Sequence, residues 1–221
     1  MLGTRTMKIA VKAMLVVAVL ALLLIGLSLS WFYFYSRDLP GFASVATFAP
    51  DSAATVLDRC STASVRAIPY DSISRDLRSA TRAAEGDSAE TFANQISRWL
   101  FCGSSTKPGE RHLLEYKASV QLRRRFTSEQ LLTIYLNRAY FGHDLVGVEN
   151  ASLYYYGKHA SELDIPRAAL VVGLLRSPVA YSPETHPDKA RMRRDAVVAA
   201  MLTRGTITAE QANAAVHAAI R

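Results

Sequence analysis

The N-terminal part of this chain contains a long stretch without a charged side chain, from Ala13 to Ser36. As a helix rising 1.5 Å per residue, this stretch would reach about 36 Å, whereas the hydrocarbon layer of a membrane is about 30 Å thick. The aromatic residues from Trp31 to Tyr35 are of the kind found at membrane interfaces. We therefore expect residues 13–36 to form a transmembrane anchor.

The charges before this stretch predict its orientation. Arg5, Lys8 and Lys12 precede it, and residues 1–12 contain no acidic side chain. By the positive-inside rule, residues 1–12 form a cytoplasmic tail, and the chain after Ser36 lies outside the plasma (inner) membrane, in the periplasm or its equivalent. A cleaved signal peptide is the alternative, but the apolar run is longer than a usual signal-peptide core and no clear A-x-A site follows promptly.

Composition narrows the class of protein. Half of the 221 residues are hydrophobic and 20% are charged, which excludes a disordered or collagen-like chain. The net charge of +7 suits an anionic partner such as acidic lipid or phosphate. Nucleic acid is disfavoured, because the domain is expected to face outward and no recognition motif is present. Cys60 and Cys102 lack metal-site spacing, and both a disulfide and two free thiols remain open.

Prolines, glycines and helix-capping residues divide the rest of the chain into segments. Residues 37–66 are weakly patterned and contain Pro40, Gly41 and Pro50, so we interpret them as a stalk before a domain at 67–221. In that domain Pro108 predicts a helix start, and Gly205 a helix end. Capping-box spacing recurs at Thr127 with Gln130 and at Thr208 with Gln211. No Asn-Gly hairpin signal is present, so we expect a mainly α fold.

An ordered set of motifs points to a family. The segment FTSEQLLTIYLNRAYFG, residues 126–142, closely resembles the block Y-S-K-E-x-I-L-E-x-Y-L-N-x-x-Y-F-G of family 51 glycosyltransferases, the polymerases of peptidoglycan. Residues 147–158, 161–163, 168–174, 181–183 and 193–198 resemble the family's successive blocks in the same order. The resemblance implies a lysozyme-like, mainly α transglycosylase domain. Taken singly, residues such as Tyr135, Leu136, Asn137, Leu170 and Leu174 are better explained as core or turn positions.

The resemblance also implies a reaction. The family joins lipid II units into glycan strands by an inverting transfer that releases undecaprenyl pyrophosphate, which needs a general base and cations at the pyrophosphate. RHLLE, residues 111–115, resembles the family's R-K-x-x-E with Arg111 and Glu115 in place and His112 where Lys is usual. The segment from Thr91 to Gln95, with Arg98 beyond it, resembles the motif that binds substrate. Lys107 falls near the position of a further phosphate-binding cation.

The first family motif is shortened in this chain. IPYDSISRDLRSA, residues 68–80, resembles its lead-in, and Glu85 aligns with the catalytic base. Gly86 stands where the family has Asp, and only five residues separate Glu85 from Thr91. The family has a few dozen residues there, which form a flap and a lipid-contacting jaw beside the donor site. We therefore expect this chain to lack that jaw.

The resemblance assigns a role to each candidate residue. Glu85 would be the general base, and Glu115 would assist at the pyrophosphate end. Arg98, Lys107 and Arg111 would neutralise the phosphates, with Thr91 and Gln95 binding the substrate. The family also implies that a divalent metal ion, Mg or Mn, can share this task, although His143, His159 and His186 are scattered and make no metal constellation.

Other interpretations remain open. Glu85 could be a solvated loop carboxylate, and Glu115 could form an ordinary helix-surface ion pair with Arg111. Arg123, Arg124 and Arg125 are expected to form a solvated helix end. For the whole protein, the alternative is a catalytically degenerate relative that binds lipid II, a nascent glycan strand or another cell-wall synthase as a regulator.

Overall fold

The computed structural model describes residues 4–37, 65–101 and 107–220. The chain divides into two compact units between positions 43 and 44. Cys60, Cys102 and nearly all of the predicted stalk lie outside the described residues. The prediction about a disulfide therefore stays a prediction.

The first unit contains one long helix, α1, from Thr4 to Arg37. Its most apolar window, Met14–Trp31, has a mean hydropathy of 2.6, and none of that window is buried. By length and composition the helix can cross a membrane, as the uncharged stretch predicts. A signal sequence near an N-terminus meets the same criteria.

The second unit is built from helices. They are α2 (Arg75–Glu85), α3 (Ala89–Leu100), α4 (Pro108–Arg125), α5 (Ser128–Arg138), α6 (Val148–Tyr156), α7 (Ile165–Leu174), α8 (Pro187–Thr203) and α9 (Ala209–His217), with 3₁₀ turns at Tyr70–Ser72 and Ala160–Glu162. Over the described ranges the backbone forms no strand, only a single antiparallel bridge between Tyr140 and Val146. The prediction of a mainly α fold is confirmed.

The predicted helix boundaries follow from local chemistry. Pro108 is the first residue of α4, where its missing N–H costs nothing. Thr127 and Thr208 each accept from the backbone of the third helical residue, while Gln130 and Gln211 reach back to the cap. Gly205 follows α8 with a φ of +65°, the left-handed conformation that ends many helices. All four predicted signals are confirmed.

The helices of the second unit pack in two groups. α3 packs against α4 and α5, whereas α2 packs against α7 and α8, and α9 covers α8. Every residue of α7 from Ala168 to Leu174 is buried, which is expected of a helix that is apolar on all sides. The buried side chains of Leu170 and Leu174 confirm their prediction as core. Each such leucine stabilises the fold by about 1.5–3 kcal/mol through burial.

Candidate functional site

A cleft of about 450 Å³ lies where the two helix groups meet. It is lined by residues from the end of α2, from α3, from the end of α5 and from the segment after α7. These residues are Glu85, Gln95, Trp99, Tyr135, Ala139, Tyr140, Leu175, Arg176 and Pro178. Two of the predicted site residues, Glu85 and Gln95, are thus brought together.

The backbone after Glu85 places its carboxyl in the cleft. Glu85 is the last residue of α2, and Gly86 ends that helix with φ +116° and ψ 159°, a conformation that residues with a Cβ rarely adopt. The Arg82 guanidinium donates to Asp87 Oδ1 over 2.7 Å and closes the turn. Because Ser88 already caps α3, the connection between α2 and α3 is only Gly86 to Ser88.

This placement corrects one interpretation of Glu85. The alternative of a solvated loop carboxylate is wrong, because Glu85 is helical, half-buried and part of the cleft wall. Thr91 lies across the same turn, where its hydroxyl is 2.9 Å from that of Ser88. Thr91 therefore belongs to the start of α3 and does not line the cleft.

Burial controls the ionisation of Glu85. Desolvation raises the pKa of its carboxyl, and the nearby guanidinium groups of Arg193 and Arg176 oppose this increase without cancelling it. The C-terminal end of α2 also disfavours a negative charge. Burial, and secondarily the charge of Glu85, raise the pKa of Tyr135. Glu85 is therefore suited to accept a proton, because its pKa is shifted toward neutral pH.

Aromatic rings form another part of the cleft wall. The Trp99 ring stacks on Tyr135, with ring centroids 5.4 Å apart and planes 6° apart. Phe92 packs against the same tyrosine with a centroid distance of 5.5 Å. Such pairs add about 0.5–1.5 kcal/mol beyond burial and hold ring orientation. Tyr135, predicted as a core position, is buried and also lines the cleft.

Two arginines near Glu85 were missed as site residues. Arg176 lies two residues after the end of α7 and lines the cleft. Arg193, which the sequence placed only in a family signature, approaches α7 at Gly173, where a Cβ would lie 3.0 Å from Arg193 Cγ. The neighbouring Arg194 is structural, because it is buried and donates to the carbonyls of Val216 and Ala218. In the sequence, the only indication of Arg176 as a site residue is a single cation that follows an apolar helix.

Arg111 and Glu115 form an ion pair on α4, and neither is among the residues that line the cleft. Arg111 Nε donates to Glu115 Oε1 over 2.9 Å, and His112 Nδ1 lies 3.6 Å from the other carboxylate oxygen. The Glu115 side chain is only 13% exposed. The expected ion pair is present, but Glu115 is more shielded than an ordinary surface carboxylate.

The other cations predicted for the site, Arg98 and Lys107, are both exposed. Arg98 is a residue of α3, and Lys107 immediately precedes α4. Arg123, Arg124 and Arg125 are exposed at the end of α4, as predicted. Within the described part of the chain, no group of three or more His, Cys, Asp or Glu side chains could hold a metal ion. No chemical step is therefore assigned to a divalent metal.

Comparisons with known proteins agree with this architecture. The family described as Transglycosylase matches residues 61–202. Penicillin-binding protein 1A of Aquifex aeolicus (strain VF5) is 36% identical over 138 residues, which cover 62% of this chain and 19% of that protein. The protein of the same name from Rickettsia bellii (strain RML369-C) is 27% identical and covers 93% of this chain and 31% of its own length.

One solved structure is also similar. The crystal structure of penicillin-binding protein 1A from Haemophilus influenzae has 21% sequence identity and a TM-score of 0.48, covering 71% of this chain and 18% of that chain. The chain spans about a fifth to a third of the length of the relatives named above. The match to residues 61–202 covers more than half of the chain, and the chain therefore belongs to the family 51 peptidoglycan glycosyltransferases, the transglycosylases.

Proposed function

We propose that this domain polymerises lipid II into glycan strands, with Glu85 as the general base. The observation that carries the proposal is the half-buried carboxyl of Glu85 in a cleft that also contains Gln95 and Arg176. A base must lie within reach of the attacking hydroxyl and have a pKa near the working pH. The raised pKa of Glu85 supports this role.

In the proposed step, the hydroxyl of one sugar attacks the anomeric carbon of the other from the side opposite the pyrophosphate. Glu85 accepts the hydroxyl proton while the new glycosidic bond forms. The bond from the anomeric carbon to the pyrophosphate oxygen breaks, and undecaprenyl pyrophosphate leaves with both electrons. The configuration at that carbon is inverted, and the proton on Glu85 is later lost to solvent.

The leaving pyrophosphate needs positive charge. We assign this task to Arg98, Lys107 and Arg111, with Glu115 orienting Arg111 through their 2.9 Å hydrogen bond. Gln95 would bind the substrate from α3, whereas Thr91 lies in the cap of that helix and is assigned no contact with the substrate. Arg176 and Arg193, whose charges act on Glu85, add to this group because charge that develops in the transition state is stabilised by groups already in position.

Lipid II is a membrane lipid, so the proposal includes the topology of the chain in the membrane. In the proposal, residues 1–12 lie in the cytoplasm and residues 13–36 cross the inner membrane. Residues 37–66 then form a stalk, and residues 67–221 form the periplasmic domain. The run of apolar residues in α1 and the cations before it support this arrangement.

A second candidate function is favoured by one observation. The connection between α2 and α3 has only three residues, where the family resemblance leads us to expect a flap and jaw. A domain without its jaw could bind lipid II or a nascent strand without transferring it. In that case it would act as a regulator that binds lipid II, a glycan strand or another cell-wall synthase.

Polymerisation of labelled lipid II by the full chain in detergent tests the proposal. We expect Glu85→Gln to abolish polymer formation, because the amide cannot accept the proton. The matched control is Glu90→Gln, which neutralises an exposed carboxylate on the neighbouring helix and should retain the rate. Full activity of Glu85→Gln would refute the base assignment. Absence of polymer from the folded wild type, with retained lipid II binding, would favour the regulator.

A further inference from the structure

A second cluster of polar and aromatic side chains lies outside the cleft. The His143 ring stacks on Tyr154, with centroids 5.1 Å apart and planes 27° apart. His143 Nε2 is 3.1 Å from Glu184 Oε2. The Tyr154 hydroxyl lies 3.4 and 3.5 Å from the two carboxylate oxygens of Glu184. The Glu184 carboxylate therefore pairs with His143 and lies close to the Tyr154 hydroxyl.

The loop before α6 fixes this cluster in place. His143 and Asp144 both have positive φ values, 50° and 57°, which is uncommon for residues with a side chain. Phe141 donates to the carbonyl of Leu145 over 2.9 Å and closes the loop. Tyr155 packs edge-on against Tyr154 and donates its hydroxyl to the Phe141 carbonyl over 2.9 Å. The rings are thus oriented before any ligand binds.

The cluster is continuous with the rim of the cleft. Pro178 and Tyr140 line the cleft, and Pro178 also contacts the loop at Gly142. A Cβ on Gly142 would lie 3.2 Å from Pro178 Cβ, and the φ of Gly142 is +88°. Only glycine at this position lets the His143 loop lie against the cleft segment without strain. The loop that carries His143 therefore adjoins a segment of the cleft wall.

We propose that His143, Tyr154 and Glu184 form a binding subsite for N-acetylhexosamine units of the glycan strand. This inference rests on the proposed function, which makes such a strand the product. The C–H face of a pyranose is apolar and weakly positive, and it is attracted to the negative face of an aromatic ring. Glu184 accepts hydrogen bonds from sugar hydroxyls at the edge of the rings.

Exposure and charge favour the sugar backbone as the occupant. Tyr154 is 45% exposed, and the side chain of His143 is 38% exposed, so part of each ring is open to a ligand. The carboxylate of Glu184 repels the acidic groups of a stem peptide, whereas it attracts neutral hydroxyls. The subsite would hold the growing strand beside the cleft between successive transfers.

Binding of chitohexaose, the β-1,4-linked hexamer of N-acetylglucosamine, to the full chain in detergent tests this subsite. Isothermal titration calorimetry or saturation-transfer NMR gives the affinity. We expect Tyr154→Ala to weaken binding about fivefold to tenfold, the loss of one aromatic contact. Tyr154→Phe retains the ring and should retain most of the affinity. Tyr116→Ala removes an exposed tyrosine of α4 and should leave the affinity unchanged.

The outcomes separate this inference from the proposed function. Unchanged affinity in a folded Tyr154→Ala variant, or no chitohexaose binding by the wild type, would overturn the subsite. Glu90→Gln, which changes an exposed carboxylate outside both sites, should bind chitohexaose as the wild type does. If the wild type makes no polymer but binds the hexamer through Tyr154, the subsite stands and the polymerase proposal fails. If polymer forms and Tyr154→Ala binds normally, only the subsite fails.

Discussion

The side-chain amide of Asn137 pairs with both backbone polar groups of Ile68. Asn137 Oδ1 accepts from the Ile68 N–H over 3.1 Å, and Asn137 Nδ2 donates to the Ile68 carbonyl over 2.8 Å. Asn137 lies at the end of α5 and is buried. The segment that enters the domain is thereby attached to the helix whose neighbouring Tyr135 lines the cleft.

Replacing this amide should destabilise the domain. Asn137→Ala removes both hydrogen bonds and leaves the N–H and carbonyl of Ile68 without these partners, at a cost of about 1–3 kcal/mol in the free energy of unfolding. Urea unfolding followed by circular dichroism measures the change. Asn213→Ala, at an exposed position on α9, is the control and should change little. Equal midpoints for both variants would contradict this role of Asn137.

Much of the fold was predictable because its signals are local. The cap at Thr127 and the helix start at Pro108 depend on residues within one turn. The surroundings of Glu85 were not predictable in this way, because its burial depends on packing with helices distant in the sequence. Arg176 comes from a separate segment, and nothing in its spacing relates it to Glu85. His143 likewise had no visible partner, since Glu184 lies far along the chain.

Gly86 is the residue on which the short turn after Glu85 depends. Its φ of +116° and ψ of 159° disfavour any residue with a Cβ, and an added Cβ would lie 3.1 Å from the Thr91 hydroxyl oxygen. We expect Gly86→Ala to lower the free energy of unfolding by about 1–3 kcal/mol. Chemical denaturation gives this value.

The control for Gly86 is another glycine with different surroundings. Gly109 lies in the first turn of α4, and an added Cβ would meet nothing within 4 Å. Gly109→Ala should therefore leave stability unchanged or raise it slightly, because alanine loses less backbone entropy on folding. Comparable stability of the two alanine variants would show that the turn accepts a Cβ.

His159 should make stability depend on pH. Its hydrogen bond with Glu149, and then the charge of that carboxylate, raise its pKa above the ordinary 6.5. A raised folded-state pKa means that the contribution is fully present below about pH 6.5 and is lost as pH rises through the folded value. His159→Gln should therefore lower Tm more at pH 6 than at pH 8. His217→Gln, at an exposed position on α9, is the control. Its effect on Tm should be similar at pH 6 and pH 8.

The acid limb of the polymerisation rate should report the environment of Glu85. Only the ionised carboxylate accepts a proton, and burial raises its pKa, so kcat/KM should fall at a pH above that of an ordinary glutamate. Arg176→Met removes a guanidinium that favours the carboxylate form, and the limb should move to still higher pH. Arg191→Met, at an exposed position on α8, should leave the limb in place. If kcat/KM of Arg176→Met falls at the same pH as in the wild type but is lower throughout, Arg176 contacts the substrate and does not set the ionisation of Glu85.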